Sequence, residues 1–212
     1  MNIDSFVTDI SSVQLTNVFN PYADQCDQYD EVDAAVIRRN NLREFIRVSA
    51  LLGIETMWMG RDLGYRGGRR TGLALTDERH LTSFCEVYPG SVIKKSTTGP
   101  SIKERTADEI WSLLPKLNLP PLLWNVFPFH PYEAGNQFSN RKFTAKELSV
   151  AEEINAILIK GLGIKRIIAI GNDAAVYASR FGISVEKVRH PSYGGVNEFR
   201  SGIKELYAIK MQ

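Results

Sequence analysis

The chain has 212 residues, 43% hydrophobic, 10% aromatic and 24% charged, an ordinary globular composition that suits one domain with a full core. Lys plus Arg is 26 against 24 for Asp plus Glu, and a formal net charge of +2 excludes binding to nucleic acid through a general basic coat, so any such site is a local patch. Two cysteines, Cys26 and Cys85, exclude a zinc or iron–sulfur site made of four cysteines and argue against a disulfide-stapled secreted domain.

The opening MNIDSFVTDI lacks the basic-then-apolar order of a signal peptide, and no apolar run approaches the ~18 residues of a membrane span. The expectation is a cytoplasmic, monomeric protein with one domain over 1–212 and no membrane partner. Residues up to about Gly53 read as helical with one break, because Pro21 pushes Asn20 out of the helical region and makes 19–22 a turn. From Asp33 to Leu52 the apolar positions Val36, Ile37, Leu42, Phe45, Ile46, Val48 and Leu51 recur at helical spacing.

Four short apolar runs, 56–59, 122–127, 166–170 and 185–189, then read as buried strands. Between and after them, 106–114, 144–162, 173–181 and 196–209 read as helices, and Thr144 with Glu147 has capping-box spacing. Apolar strands alternating with amphipathic helices predict an α/β fold, a three-layer αβα sandwich around a central four-stranded parallel sheet. Right-handed crossovers follow, and ligands in such folds sit beyond the carboxyl ends of the strands.

The loops at those ends carry the unusual chemistry. The first holds five glycines in thirteen residues, 60–72, interleaved with Arg61, Arg66, Arg69 and Arg70 around one carboxylate, Asp62. Backbone N–H groups of such a loop can cradle an anion, but neither GxxxxGK[ST] nor GxGxxG is present. Asp62 alone is equally a cap or the partner of a loop arginine. Asn125 interrupts an apolar strand, and a buried unpaired amide costs roughly 1–3 kcal/mol, so it bonds either a neighbouring loop or a ligand such as a base edge. His190, one of three histidines, follows a strand and precedes Pro191 at the same sheet edge, where it is either structural or functional.

Taken in order, these motifs resemble the uracil-DNA glycosylase superfamily, and most closely a bacterial branch without an iron–sulfur cluster. The residues that carry the resemblance are Phe19-Asn-Pro-Tyr22, Gly60-Arg-Asp-Leu-Gly64, Gly64-Tyr-Arg-Gly67, Thr71-Gly-Leu-Ala-Leu75, Asn125-Val-Phe-Pro-Phe-His-Pro131, Ser139-Asn-Arg141 and Val188-Arg-His-Pro-Ser-Tyr-Gly-Gly195. The resemblance implies an enzyme that flips a nucleotide out of DNA and hydrolyses the base–sugar bond, with no cofactor and no metal. By the same match Asp62 stabilises the cationic sugar and positions water, and His190 donates to the departing base. Asn125 reads the base, with Gly64, Tyr65 and Leu75 around it. DNA is the implied partner, held by Arg66, Arg69, Arg70, Arg141, Lys142, Ser192, Tyr193 and Gly194, with Tyr193 a wedge. Lys94-Lys95, in the Ser-Thr-Gly-rich stretch 90–101, is assigned to a flexible DNA-facing loop.

The first motif departs from the branch's usual Gly-Glu-Ala-Pro-Gly, and its carboxylate falls instead on the Asp slot of the Gly-Gln-Asp-Pro-Tyr motif of the uracil-specific enzymes. Gly64 stands where those enzymes place a tyrosine that excludes 5-substituted pyrimidines, and Leu75 where a stacking phenylalanine is common. Both changes imply a pocket less tailored to a small flat base, so the target is uracil or a larger modified pyrimidine, such as a 5-substituted or glycosylated cytosine of viral DNA. A non-catalytic DNA-binding relative and a nucleoside or nucleotide hydrolase are the alternatives.

Overall fold

Apolar side chains at five of the six positions of 122–127 leave neither face suited to water, and the chain buries the whole run as a strand. The computed structural model describes residues 1–208. In chain order its helices are α1 (Ile3–Ser12), α2 (Ala34–Leu51), α3 (Gly68–Thr71), α4 (Phe84–Val87), α5 (Arg105–Trp111), α6 (Ala145–Leu162), α7 (Asn172–Ala178) and α8 (Val196–Leu206). The strands are β1 (Val18–Phe19), β2 (Thr56–Asp62), β3 (Leu122–Phe127), β4 (His130–Pro131), β5 (Arg166–Ile170) and β6 (Ser184–Val188). Strands β3, β2, β5 and β6 lie in that order in one parallel sheet. Helices cover both faces, so the architecture is the three-layer αβα sandwich that the alternating pattern predicts.

The two tryptophans of the sheet define its faces. Cross-strand partners point the same way, and the register pairs Met59 with Trp124 and Trp58 with Leu123. Trp58 meets the ring of Phe199 on α8 edge-on and donates its indole N–H to the Tyr207 hydroxyl at 2.9 Å. Trp124 donates to Asn155 Oδ1 on α6 at 2.7 Å, and Asn155 Nδ2 donates to the Val126 carbonyl at 2.7 Å. The Asn155 amide thereby satisfies its buried polar atoms while riveting α6 to β3. Phe6 of α1 packs beside Trp124 on that same face.

Helix α6 begins where the capping-box spacing places it. Thr144 Oγ1 accepts the Glu147 N–H, and Glu147 Oε2 accepts the Thr144 N–H at 2.7 Å. The helix stops at Gly163, whose φ of 66° turns the chain toward β5. Residue 209, the last of the expected helix 196–209, lies outside the described residues, and α8 closes at Leu206.

The N-terminal third differs from its sequence reading. The break between helices is long, 13–33, and it contains β1, which pairs antiparallel with β4. Asn20 is the cause: its Nδ2 donates to the carbonyls of Ile10 and Val13, and its Oδ1 accepts the Tyr22 N–H. The buried Arg38 guanidinium holds the rest, with hydrogen bonds to the Pro21 and Asp24 carbonyls and an ion pair to Asp30 at 2.9 Å. Among the described residues no helix is long and apolar enough to cross a membrane.

Thr144→Ala removes one half of the capping box, and the expected loss is about 1 kcal/mol of stability. It should appear in urea titration as a lower midpoint with an unchanged slope.

Candidate active site

The carboxyl ends of the parallel strands open into a cleft of about 610 Å³. Strand β2 brings Gly60, Arg61 and Asp62 to it, β3 brings Asn125, the turn after β5 brings Gly171, and the turn after β6 brings His190 and Ser192. Leu75 completes the floor beside Asn125. Gly60 and Asn125 are opposite each other in the β2–β3 ladder, and a Cβ at position 60 would lie 2.4 Å from Asn125 Oδ1 and 3.0 Å from Leu75 Cδ2. Only glycine lets those two side chains meet over the strand. Leu75 sits at φ 55°, an uncommon conformation for a side-chain-bearing residue, held here at the floor of the cleft. The Asn125 Oδ1 atom is buried without a protein partner.

Asp62 lies beneath Arg61, whose Nε donates to its Oδ2 at 2.6 Å. Burial holds the Asp62 carboxyl above its ordinary range, with the Arg61 guanidinium opposing that shift only in part. Arg61 also lies 3.6 Å from Asp173, which pairs with Lys142 at 2.8 Å and is held low by it. Charges of alternating sign therefore run along the cleft edge: Asp62, Arg61, Asp173, Lys142.

His190 packs on Gly171, whose φ of 91° lets the chain turn beneath the imidazole. Its Nδ1 accepts the Ser192 backbone N–H at 3.1 Å, with the Ser192 hydroxyl 2.8 Å away. An amide N–H can only donate, so the neutral ring carries its proton on Nε2. Burial, with Arg61 and Arg189 nearby, holds His190 below the ordinary imidazole range. At neutral pH it is thus an uncharged donor.

Of the other residues singled out from sequence, Gly64, Ser192 and Tyr193 line the cleft. Tyr193 is 94% exposed, at φ 52°, on the turn before α8, and Gly194 follows it in the same exposed turn. Tyr65 lies outside the lining: its N–H donates to Asn140 Oδ1 and its ring faces Phe138. Arg66 is exposed on the glycine turn.

Three expected rim cations lie elsewhere. Arg69 is fully buried, stacked over Phe19 at 4.0 Å and bonded to the Gln137 carbonyl and side chain. Arg70 lies over Tyr29 at 3.8 Å and pairs with buried Glu78. The α3 turn directs both into the interior, where aromatic faces substitute for water around a weakly hydrated guanidinium. Arg141 forks onto Glu147 and donates to the Tyr132 and Asn17 carbonyls, so it braces α6. Lys142 stays exposed, paired with Asp173. The 90–101 segment is anchored to the fold, with Lys94 exchanging backbone bonds with the Asn41 amide and Ser96 and Thr97 buried, while Lys94 itself is exposed.

The loop-arginine partner that the sequence offered for Asp62 is Arg61, while Asp173, the second carboxylate of Arg61, and Glu104 were missed. Glu104 reaches the cleft from the start of α5. Burial, reinforced by Asp77 and opposed by Arg66, pushes its carboxyl up to about 7. Its signal in the sequence is faint, an acid in a polar run far from any motif. Behind it, Asp77, His80 and Asp108 form the one three-residue group of potential metal ligands among the described residues. Its atoms are engaged: Asp77 accepts from the His80 ring at 2.7 Å and from the Glu104 N–H, while Lys103 pairs with Asp108.

Raising a carboxyl in the fold makes folding costlier at high pH. The folded protein holds the Glu104 proton between about 4.5 and about 7 while the unfolded chain does not, so this contribution to stability falls as pH rises through that window. Glu104→Gln should melt above the wild type at pH 8, with the gap narrowing toward pH 5 in thermal scans.

No protein-family model matches the chain, and no curated protein matches it. Thirteen chains of solved structures do. Among them is the crystal structure of wild-type Pedobacter heparinus SMUG2, at 15% identity and a TM-score of 0.59, with 97% of this chain and 92% of that chain covered. The likeness is one of fold, and it extends along nearly the whole chain.

Proposed function

We propose that residues 1–212 act as one monofunctional DNA glycosylase domain, which extrudes a nucleotide and hydrolyses its base–sugar bond to leave an abasic site. The single observation that carries this reading is the convergence of Asp62, Asn125 and His190 on one cleft. The ordered motifs of the uracil-DNA glycosylase superfamily and the fold likeness to SMUG2 support it.

Cleaving an N-glycosidic bond leaves positive charge on the sugar and negative charge on the base. Asp62, ionised beside Arg61, stabilises the sugar cation and orients the attacking water. His190 offers Nε2–H to the carbonyl oxygen on which the base's negative charge accumulates. Being neutral, it stabilises that oxygen by hydrogen bonding without first giving up a proton. Asn125, with an amide already buried at the floor, reads the edge of the base at little extra desolvation. Tyr193 fills the gap left in the stack, and Ser192 with Gly194 and the α8 start holds the flanking phosphate. Uracil or a larger modified pyrimidine is the target, the latter because Gly64 and Leu75 leave the pocket open; modified cytosine in viral DNA would give the enzyme a defensive role in the cytoplasm.

Asp62→Asn should lower abasic-site formation by about 10²–10³-fold, and His190→Ala by a similar factor, with little change in melting temperature. The assay is alkali cleavage of DNA carrying uracil, hypoxanthine, 5-hydroxymethylcytosine or its glucosylated form. Absence of abasic sites with all four substrates would overturn the reading.

A further inference from the structure

Of the cleft carboxyl groups that the mechanism above leaves unused, Asp173 is ion-paired with Lys142 and Glu104 has no such partner among the described residues. Glu104 occupies the N-cap position of α5, yet its side chain does not cap the helix. Its backbone N–H is fixed by Asp77 Oδ2 at 2.7 Å, and its carboxyl has no hydrogen-bond partner among the described residues. That carboxyl rests on the glycine turn that follows β2. A Cβ at Gly67 would lie 2.2 Å from Glu104 Oε2, so position 67 has to be glycine for the carboxyl to sit there. A Cβ at Gly64 would lie 3.5 Å from Oε1, an ordinary contact, so a side chain at 64 would start out toward the carboxyl. Gly64 has none, and it lines the cleft together with Glu104 and Thr106.

We propose that Glu104 is a specificity-determining residue, whose carboxyl hydrogen-bonds a polar substituent of the extruded base lying in the gap beside Gly64. This rests on the glycosylase reading and names the class of base it favours: a pyrimidine with a hydroxyl-bearing substituent. A hydroxyl both donates and accepts, so it satisfies the carboxyl whether that group is ionised or protonated. Near neutral pH Glu104 samples both forms. A methyl group of the same reach would strip water from the carboxyl and return no hydrogen bond, which penalises the apolar analogue more than the hydroxyl is rewarded.

The test compares DNA carrying 5-hydroxymethylcytosine with 5-methylcytosine, and 5-hydroxymethyluracil with thymine, each at one site, with uracil as the unsubstituted base. Abasic-site formation is measured as kcat/KM for the wild type, Glu104→Gln, Glu104→Leu and Gly64→Ala, with folding checked by thermal melting. The wild type should favour the hydroxymethyl base of at least one pair by about tenfold or more, the value of one hydrogen bond to a charged group. Glu104→Leu should erase that ratio, and Glu104→Gln, which keeps a donor and an acceptor, should retain part of it. Gly64→Ala should lower activity on the substituted base relative to uracil. An equal ratio in the wild type and Glu104→Leu, or release of uracil alone by the wild type, overturns the role of Glu104 and leaves the glycosylase reading standing. Release of none of these bases by the folded wild type overturns the role of Glu104, and if hypoxanthine and glucosylated 5-hydroxymethylcytosine are not released either, the glycosylase reading falls with it.

Discussion

A cleft at the edge of a parallel sheet needs a floor, and here the floor depends on a missing side chain. With Gly60 facing Asn125 in the ladder, the Asn125 amide and the Leu75 side chain occupy the space that a Cβ would claim. The cost is visible in two places: Leu75 is held at positive φ, and Asn125 Oδ1 is buried without a partner, a state worth roughly 1–3 kcal/mol of instability. Hydrophobic packing around Trp58 and Trp124 on opposite faces sets the strand register firmly enough to hold both. A polar atom kept unsatisfied in a well-packed sheet is the kind of strain that a bound ligand relieves.

Around that floor three carboxyl groups share one cleft and are shifted differently because their neighbours differ. Asp173 is exposed between two cations and stays low, Asp62 is buried against one guanidinium, and Glu104 is buried near another acid. Environments that separate like groups in this way allow them separate tasks at one pH. The imidazole is set by the same logic, with a backbone N–H choosing its tautomer and burial, helped by nearby arginines, keeping it uncharged.

The sheet was readable from sequence because burial on both faces leaves an unbroken apolar run, and three of the four strand runs match the observed strands to within a residue at each end. The fourth, β2, continues past 59 through Gly60, Arg61 and Asp62, where the apolar signal ends but the ladder does not. Capping chemistry at Thr144 was equally legible, being local. The 13–33 segment was not, since it is organised by Asn20 and Arg38 reaching across the chain. Charge was misread for a related reason. Arg69, Arg70 and Arg141 look like surface cations in a glycine-rich or polar string, and only the fold shows aromatic faces and Glu147 waiting for them. Glu104 was invisible because its meaning comes from two glycines some forty residues away.

Those buried guanidiniums change what the formal charge means. Arg38, Arg69 and Arg70 count toward the +2 but are out of reach of any phosphate. At the rim Arg61, Lys142 and Arg189 already have carboxylate partners, so a phosphate arriving there competes with an existing ion pair. Each DNA phosphate newly neutralised releases about 0.9 of a counterion, and a rim whose cations are already paired releases fewer. For a DNA partner this means a shallow dependence on salt and a weak hold on undamaged duplex. Residence would then be decided at the floor of the cleft, by whether the base that swings in fits it.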